Sequence, residues 1–200
     1  IYTNSIEALN YNKDKYNYFE IDFYINENNE IICSHNPEDQ FLNLENFFKK
    51  YKYTPCTLYS LKKWLNDNPN KFIVTDIKNE NLKALKKIKN IIPDFDNKFI
   101  PQIFFFDEYE NVKKLGYNRI IWTFYRLNEK QKNINLIIDQ LNSMNLYGVT
   151  MDERLVLMGY ANRIKKMNIP IYVFTINTKK RYFFYKYFLG VDNIYTDWLY

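Results

Sequence analysis

From Phe72 to Thr196 the chain alternates strand-like and helix-like segments separated by short breaks, and no other feature restricts its fold as much. Strands are expected over Phe72–Ile77, Phe99–Phe105, Arg119–Tyr125, Tyr147–Met151, Ile171–Ile176 and Asn193–Thr196. Helices are expected between them over Asn81–Ile92, Glu108–Leu115, Ile134–Met144, Leu155–Met167 and Lys179–Leu189, with Gly116 and Gly190 as left-handed stops. Ahead of this series lie a helix over Ser5–Lys15 and two strands, Tyr18–Ile25 and Glu30–Ser34, joined by the polar turn Asn26-Glu27-Asn28-Asn29. A helix capped by Thr57 then carries Leu58, Leu61, Trp64 and Leu65 and ends at Asn68-Pro69-Asn70. With the hairpin counted once, the chain has seven strand units and a front helix with no strand before it. That is the count of a single α/β domain over residues 1–200, a (β/α)8 TIM barrel apparently lacking its first strand. An open doubly wound sheet competes, but no glycine-rich phosphate loop follows any strand. Residues 37–55 form a long aromatic and charged connection, a candidate lid or insertion.

Barrels of this kind place their chemistry at the carboxyl ends of strands, where this chain gathers polar residues. In Phe19-Glu20-Ile21-Asp22-Phe23, alternation puts Glu20 and Asp22 on one face and the apolar residues on the other. Neighbouring carboxylates repel and are costly to desolvate, so the pair suits half of a site for a hard, oxygen-preferring metal. The alternative is an edge strand whose acids face water. Thirteen residues after Asp22 stands His35, the only histidine. Asp76 and Lys78 are likewise two apart, so both can face inward while Ile77 packs outward. Gln102, Thr175, Asn177 and Asp197 follow later strands, and Trp122, Tyr125, Arg126 and Phe174 lie near strand ends where an aromatic or basic wall can meet substrate.

The formal charge of +5 raises the question of nucleic acid. Lysines such as Lys62, Lys63, Lys83, Lys86, Lys87 and Lys89 are spread along helices among acidic residues, which is the pattern of a solvated face. No nucleic-acid-binding signature accompanies them. Cys33 and Cys56 have no metal-ligand spacing and constitute no disulfide framework, which is compatible with a reducing compartment and a cytoplasmic setting. No apolar run reaches the length of a membrane span.

The ordered set of motifs resembles the glycerophosphodiester phosphodiesterase (GDPD) family, within the wider group of barrel phosphodiesterases that includes the phosphatidylinositol-specific phospholipases C. The matching segments are Thr3-Asn4-Ser5, Glu20-Ile21-Asp22, His35-Asn36, Asp76-Ile77-Lys78, Thr175-Ile176-Asn177 and Gly190-Val191-Asp192-Asn193-Ile194-Tyr195-Thr196-Asp197. The resemblance implies metal-assisted hydrolysis of a small-molecule glycerophosphodiester to glycerol phosphate and an alcohol. It implies that Glu20, Asp22 and Asp76 hold one divalent cation, Ca²⁺ or Mg²⁺, that Lys78 adds positive charge beside the phosphate, and that His35 is a general acid or base. Gln102, Arg126, Phe174 and Asn177 are then candidate substrate-binding residues. Asn177 and Asp197 also suit caps or barrel-rim hydrogen bonds, and Lys78 also suits a structural pair with Asp76.

Three departures from the family pattern bear on activity. Asp76 replaces a Glu, Asn36 replaces an Asp, and the family's first strand, ending in a histidine-glycine motif, is absent from these residues. The expectation is that the biological protein supplies that strand and histidine upstream, with further domains conceivable there. The alternative is a catalytically impaired phosphate- and metal-binding module of a larger protein.

Overall fold

A computed structural model of the chain describes residues 4–35, 54 and 56–199. The candidate lid over 37–55 therefore lies outside the described residues except for Thr54, as do Thr3 and Asn36 of the motifs. The chain divides into two compact units, one from Ile1–Pro101 with Asn111–Asn118 and one from Gln102–Glu110 with Arg119–Tyr200.

In the first unit, helix α1 (Ile6–Asn12) begins where the Ser5 hydroxyl accepts a hydrogen bond from the Ala8 amide. It is shorter than the expected Ser5–Lys15, and Leu9 is its one buried residue. Strands β1 (Tyr18–Ile25) and β2 (Ile31–Cys33) form the expected antiparallel hairpin, with Phe23 opposite Cys33 and Ile25 opposite Ile31. Its turn is closed by the Asn26 carbonyl side chain, which accepts from the Glu30 amide at 2.8 Å. Helix α2 (Leu58–Asp67) opens with a reciprocal capping box between Thr57 and Ser60 and buries Leu58, Leu61, Trp64 and Leu65. Trp64 also donates from Nε1 to Asn10 Oδ1 at 2.9 Å, which ties α2 to α1.

Strand β3 (Phe72–Ile77) pairs in parallel with β1, and β4 (Phe99–Ile103) pairs in parallel with β3 through Phe99, Ile100 and Pro101. Between them, α3 (Asn81–Ile91) buries Ala84, Leu85 and Ile88, and a short turn of helix α4 (Phe95–Lys98) precedes β4. The Tyr117 ring is fully buried, and its hydroxyl donates to the Leu85 carbonyl at 2.9 Å. That contact secures α3 where the chain returns after α5 (Glu108–Lys114).

The second unit continues the pattern. From Gln102 and Ile103 of β4, parallel pairing runs through β5 (Ile121–Thr123), β6 (Gly148–Asp152), β7 (Ile171–Phe174) and β8 (Asn193–Ile194). Helices α6 (Ile134–Leu141), α7 (Glu153–Leu157), α8 (Tyr160–Ile164) and α9 (Lys179–Phe188) make the connections. Successive parallel pairing with helical crossovers after a leading hairpin is the strand succession of a (β/α)8 barrel.

Beyond shortened ends such as those of α1, β4 and β5, three features differ from the sequence expectation. The single helix expected over Leu155–Met167 is broken at Gly159, whose φ of 89° ends α7 before α8 begins. Helix α4 was not expected; Asp94, at φ 61°, turns the chain into it. Cys33 and Cys56, which make no framework in the sequence, are joined by a disulfide with a Cα–Cα distance of 5.3 Å. The ladder explains the pairing, because the Cys33 amide donates to the Cys56 carbonyl at 3.0 Å and Ile32 bridges to Thr57. The expectation of a cytoplasmic setting leaned on free thiols, and this bond removes that support.

Candidate metal and phosphate site

The carboxylates meet because of register. β1 and β3 run in parallel with Asp22 opposite Asp76 and Glu20 opposite Val74. Alternation sends Glu20, Asp22 and Asp76 to one face of the pair, while Ile21, Phe23, Ile73 and Ile77 are buried on the other. One ligand oxygen from each of Glu20, Asp22 and Asp76 can be chosen so that all lie within 4.8 Å of one another, a group able to hold a metal ion. Asp22 and Asp76 are buried, and Glu20 is exposed at the open edge of the cluster. Three carboxylate oxygens are the donor set a hard divalent cation prefers.

Lys78 balances part of that charge. Its Nζ lies 2.7 Å from Asp22 Oδ1 and 2.9 Å from Asp76 Oδ2, so a single ammonium bridges both strands. Desolvation alone would lower the Lys78 pKa, but Asp76 and then Asp22 outweigh it and hold it above the ordinary 10.5. The lysine is therefore cationic at any physiological pH. Its backbone belongs to the same ladder, since the Lys78 amide donates to the Phe23 carbonyl at 2.8 Å.

Two residues outside the expected set also hold the cluster. Asn4 Nδ2 donates to Asp22 Oδ2 at 3.4 Å, so both oxygens of Asp22 are engaged. Asn79 accepts from the Ile25 amide at 2.9 Å and donates to the Ile25 carbonyl at 3.0 Å, which locks the end of β1 to the chain leaving β3. Asn4 belongs to the Thr3-Asn4-Ser5 motif, but only the tertiary arrangement brings it to Asp22. Asn79 directly follows Lys78, and nothing in an asparagine-rich sequence distinguishes it.

His35 is exposed and stands two residues after Cys33, at the bend that ends the β2 ladder. The Ser34 amide donates to the Asp22 carbonyl at 3.1 Å, which places the backbone leading to His35 beside one of the carboxylate-bearing residues.

The remaining expected site residues belong to the second unit. Gln102 is buried on β4. The Arg126 guanidinium lies 3.6 Å from the Phe104 ring centroid, and its Nε donates to the Tyr125 hydroxyl at 3.1 Å. Tyr125 meets Phe174 edge-on at 6.2 Å, so Arg126, Tyr125 and Phe174 form one aromatic and cationic wall. Trp122 is buried instead, with Nε1 donating to the Phe104 carbonyl at 3.3 Å. Asn177 ties strand ends together: its Oδ1 accepts from the Thr196 hydroxyl and the Asp197 amide, and its Nδ2 donates to Asp197 Oδ2 at 3.2 Å. The rim hydrogen-bonding alternative thus describes the contacts that Asn177 and Asp197 make.

No protein-family model matches the chain, and no curated protein sequence does. Among solved structures it is similar to a glycerophosphodiester phosphodiesterase from Thermotoga maritima, at 17% identity and a TM-score of 0.72 over 98% of this chain and 89% of that one. It is similar to one from Parabacteroides distasonis, at 12% identity and a TM-score of 0.69 over 97% and 85% of the two chains. A third likeness is an Oleispira antarctica phosphodiesterase in complex with the product sn-glycerol-3-phosphate, at 13% identity and a TM-score of 0.70 over 98% and 87%. The chain has the TIM-barrel fold of the glycerophosphodiester phosphodiesterases.

Proposed function

We propose that the chain is a metal-dependent phosphodiesterase that hydrolyses a glycerophosphodiester-type substrate to glycerol phosphate and an alcohol. The observation that carries this reading is the Glu20, Asp22 and Asp76 cluster with Lys78 bridged across it, on adjacent strands of a fold found in phosphodiesterases. In the same reading residues 1–200 are one catalytic barrel domain, and surface-polysaccharide or phospholipid metabolism is the setting in which such diesters occur.

Glu20, Asp22 and Asp76 would hold a divalent cation, Ca²⁺ or Mg²⁺, whose bound charge stabilises the phosphoryl oxygens as negative charge builds on them. Lys78 Nζ donates to a phosphoryl oxygen while Asp22 and Asp76 keep it charged and in place. Asn4 fixes the rotamer of Asp22. The His35 imidazole moves one proton, given to the leaving alcohol oxygen as its bond to phosphorus breaks or taken from the water whose oxygen forms the new bond to phosphorus. Gln102, Arg126, Phe174 and Asn177 are proposed as substrate-binding residues; Arg126, whose guanidinium lies 3.6 Å from the Phe104 ring centroid, brings a positive charge suited to an anionic substrate.

The test is release of glycerol phosphate from a panel of glycerophosphodiesters with Ca²⁺, Mg²⁺ or EDTA, with His35→Ala alongside. Turnover that requires the ion and falls about 10²- to 10⁴-fold in His35→Ala is expected, the usual range for losing a general acid or base. Turnover unaffected by EDTA and by the substitution would overturn the reading. The same cluster also supports one second reading, a binding module that holds metal and phosphate without turnover. That protein would bind glycerol 3-phosphate in the presence of the ion and release nothing from the diesters.

A further inference from the structure

The Cys33–Cys56 bond lies in the short path between the fold and His35. β2 has only three residues, and its ladder partner is β1. The chain leaves that ladder at Ser34, whose amide donates to the Asp22 carbonyl, and His35 follows at once. Among the described residues, β2 is held on one side by its short ladder with β1 and on the other by the junction of Ile32 and Cys33 with Thr57 and Cys56, so this junction bears directly on an imidazole that has to be placed to within a fraction of an ångström.

Cys56 is a firm anchor. Thr57, the next residue, bridges to Ile32 and caps α2 through its reciprocal contact with Ser60, and α2 buries four apolar side chains. The Cys56 carbonyl accepts from the Cys33 amide at 3.0 Å, and the disulfide makes the same junction covalent. Both half-cystines are nearly inaccessible, at 7% and 4% exposure, so a dithiol reaches the bond by local opening of the junction between β2 and the start of α2. The bond thus fastens the last strand residue before His35 to the capped start of a packed helix. It also closes a loop with a sequence separation of 23 residues, whose amino-terminal end is the segment carrying His35.

We propose that the Cys33–Cys56 disulfide is a positioning element for His35, and that its reduction switches the site from an ordered to a loosened acid–base group. The proposal rests on the phosphodiesterase reading only for the catalytic role of His35. In the switching step a dithiol reductant supplies two electrons and two protons. The Cys33–Cys56 sulfur–sulfur bond breaks, two thiols form, and the dithiol is oxidised to its own disulfide. Neither cysteine touches substrate in this scheme, and both act through the backbone.

His35 is the only histidine, so its imidazole can be followed without interference. The experiment records that imidazole by proton–nitrogen NMR in the oxidised chain, in the dithiothreitol-treated chain after thiol counting shows two free sulfhydryls, and in Cys33→Ala/Cys56→Ala. Circular dichroism on each sample checks the fold, and steady-state kinetics on a glycerophosphodiester with Ca²⁺ accompanies it. The expected result is a moved and broadened imidazole signal on reduction in a folded chain, matched by the double variant, which itself does not respond to dithiothreitol. kcat should fall on the order of 10- to 100-fold, the cost of misplacing a reacting group by about an ångström, with KM changing far less. An imidazole signal that ignores the loss of the bond overturns the proposal. So does unfolding in both the reduced chain and the double variant, because the bond would then hold the fold and not the imidazole. A chain with no turnover at all would count against the phosphodiesterase reading, while the NMR comparison would still decide this one.

Discussion

Replacing Lys78 by Met isolates the electrostatics of the site. Methionine keeps most of the lysine stem, so packing along the side chain is largely conserved, but the charge between Asp22 and Asp76 is lost. The contacts removed measure 2.7 and 2.9 Å, among side chains 16% exposed for Lys78, 4% for Asp22 and 10% for Asp76. Solvent therefore screens them weakly. At an effective dielectric constant near 20, a unit pair about 3 Å apart interacts by roughly 5 kcal/mol, and desolvating the three groups offsets much of that gain. Removing the ammonium alone leaves two buried carboxylates facing each other, and a loss of about 3–5 kcal/mol is expected at pH 7.

Urea unfolding monitored by circular dichroism, with and without Ca²⁺, measures that loss. Calcium should restore more stability to Lys78→Met than to the parent, because the variant's carboxylates no longer share their oxygens with an ammonium; at about 100 times its dissociation constant an ion contributes roughly 2.7 kcal/mol. The pH dependence has a definite sign. Lys78 has a folded pKa raised above its ordinary 10.5, so its contribution is fully present below 10.5 and is lost as pH rises through the higher folded value. The gap between parent and variant should therefore be constant through neutral pH and narrow above 10.5. A loss below about 1 kcal/mol would place the pair among weak surface bridges and refute the argument. A gap that stays open throughout the alkaline range would refute it equally.

Two further substitutions probe the cation and the barrel wall. Glu20 is exposed, so Glu20→Gln should leave urea stability within about 0.5 kcal/mol. The same change should weaken Ca²⁺ or Mg²⁺ binding at least about tenfold by titration calorimetry, since a formal carboxylate ligand is lost. Unchanged affinity would remove Glu20 from the ligand set. Gly148→Ala should cost about 1–3 kcal/mol in the same unfolding experiment, because a Cβ there would sit 2.4 Å from Tyr172 Cε2 and 2.9 Å from the backbone oxygen of Pro170. The ring can swing aside but the carbonyl cannot without disturbing β7, so a neutral outcome would mean that the β6–β7 spacing is wrong.

Much of this architecture was legible because strands and helices carry different periods. β1 over Tyr18–Ile25 and β3 over Phe72–Ile77 have the bounds expected from their apolar and polar order, and Thr57 caps its helix as its position suggested. The break at Gly159 was obscured because the apolar spacing of Leu155, Val156, Tyr160, Ala161 and Ile164 survives across it. At the site, Glu20 with Asp22 and Asp76 with Lys78 could be paired by their two-residue spacing. That Lys78 reaches both acids depends on Asp22 standing opposite Asp76, a register set by two strands far apart in sequence. The disulfide was hidden for the same reason: Cys33 and Cys56 become neighbours only when β2 is laid against the start of α2.

Under the proposed function, charge balance couples the ion to the substrate. Glu20, Asp22 and Asp76 with Lys78 carry a formal charge of −2 when all four are ionised. A cluster of that sign repels a phosphodiester anion, and Lys78 cannot reverse it because its ammonium already faces two carboxylates. A divalent cation held by the three acids would supply the opposite charge of equal size and would free Lys78 to donate toward phosphate without leaving Asp22 and Asp76 unbalanced. Binding of glycerol 3-phosphate should then be lost in EDTA whether the chain turns substrate over or only holds it. Metal-independent binding of that anion would therefore tell against both readings, since each requires the cluster to be neutralised before phosphate can approach.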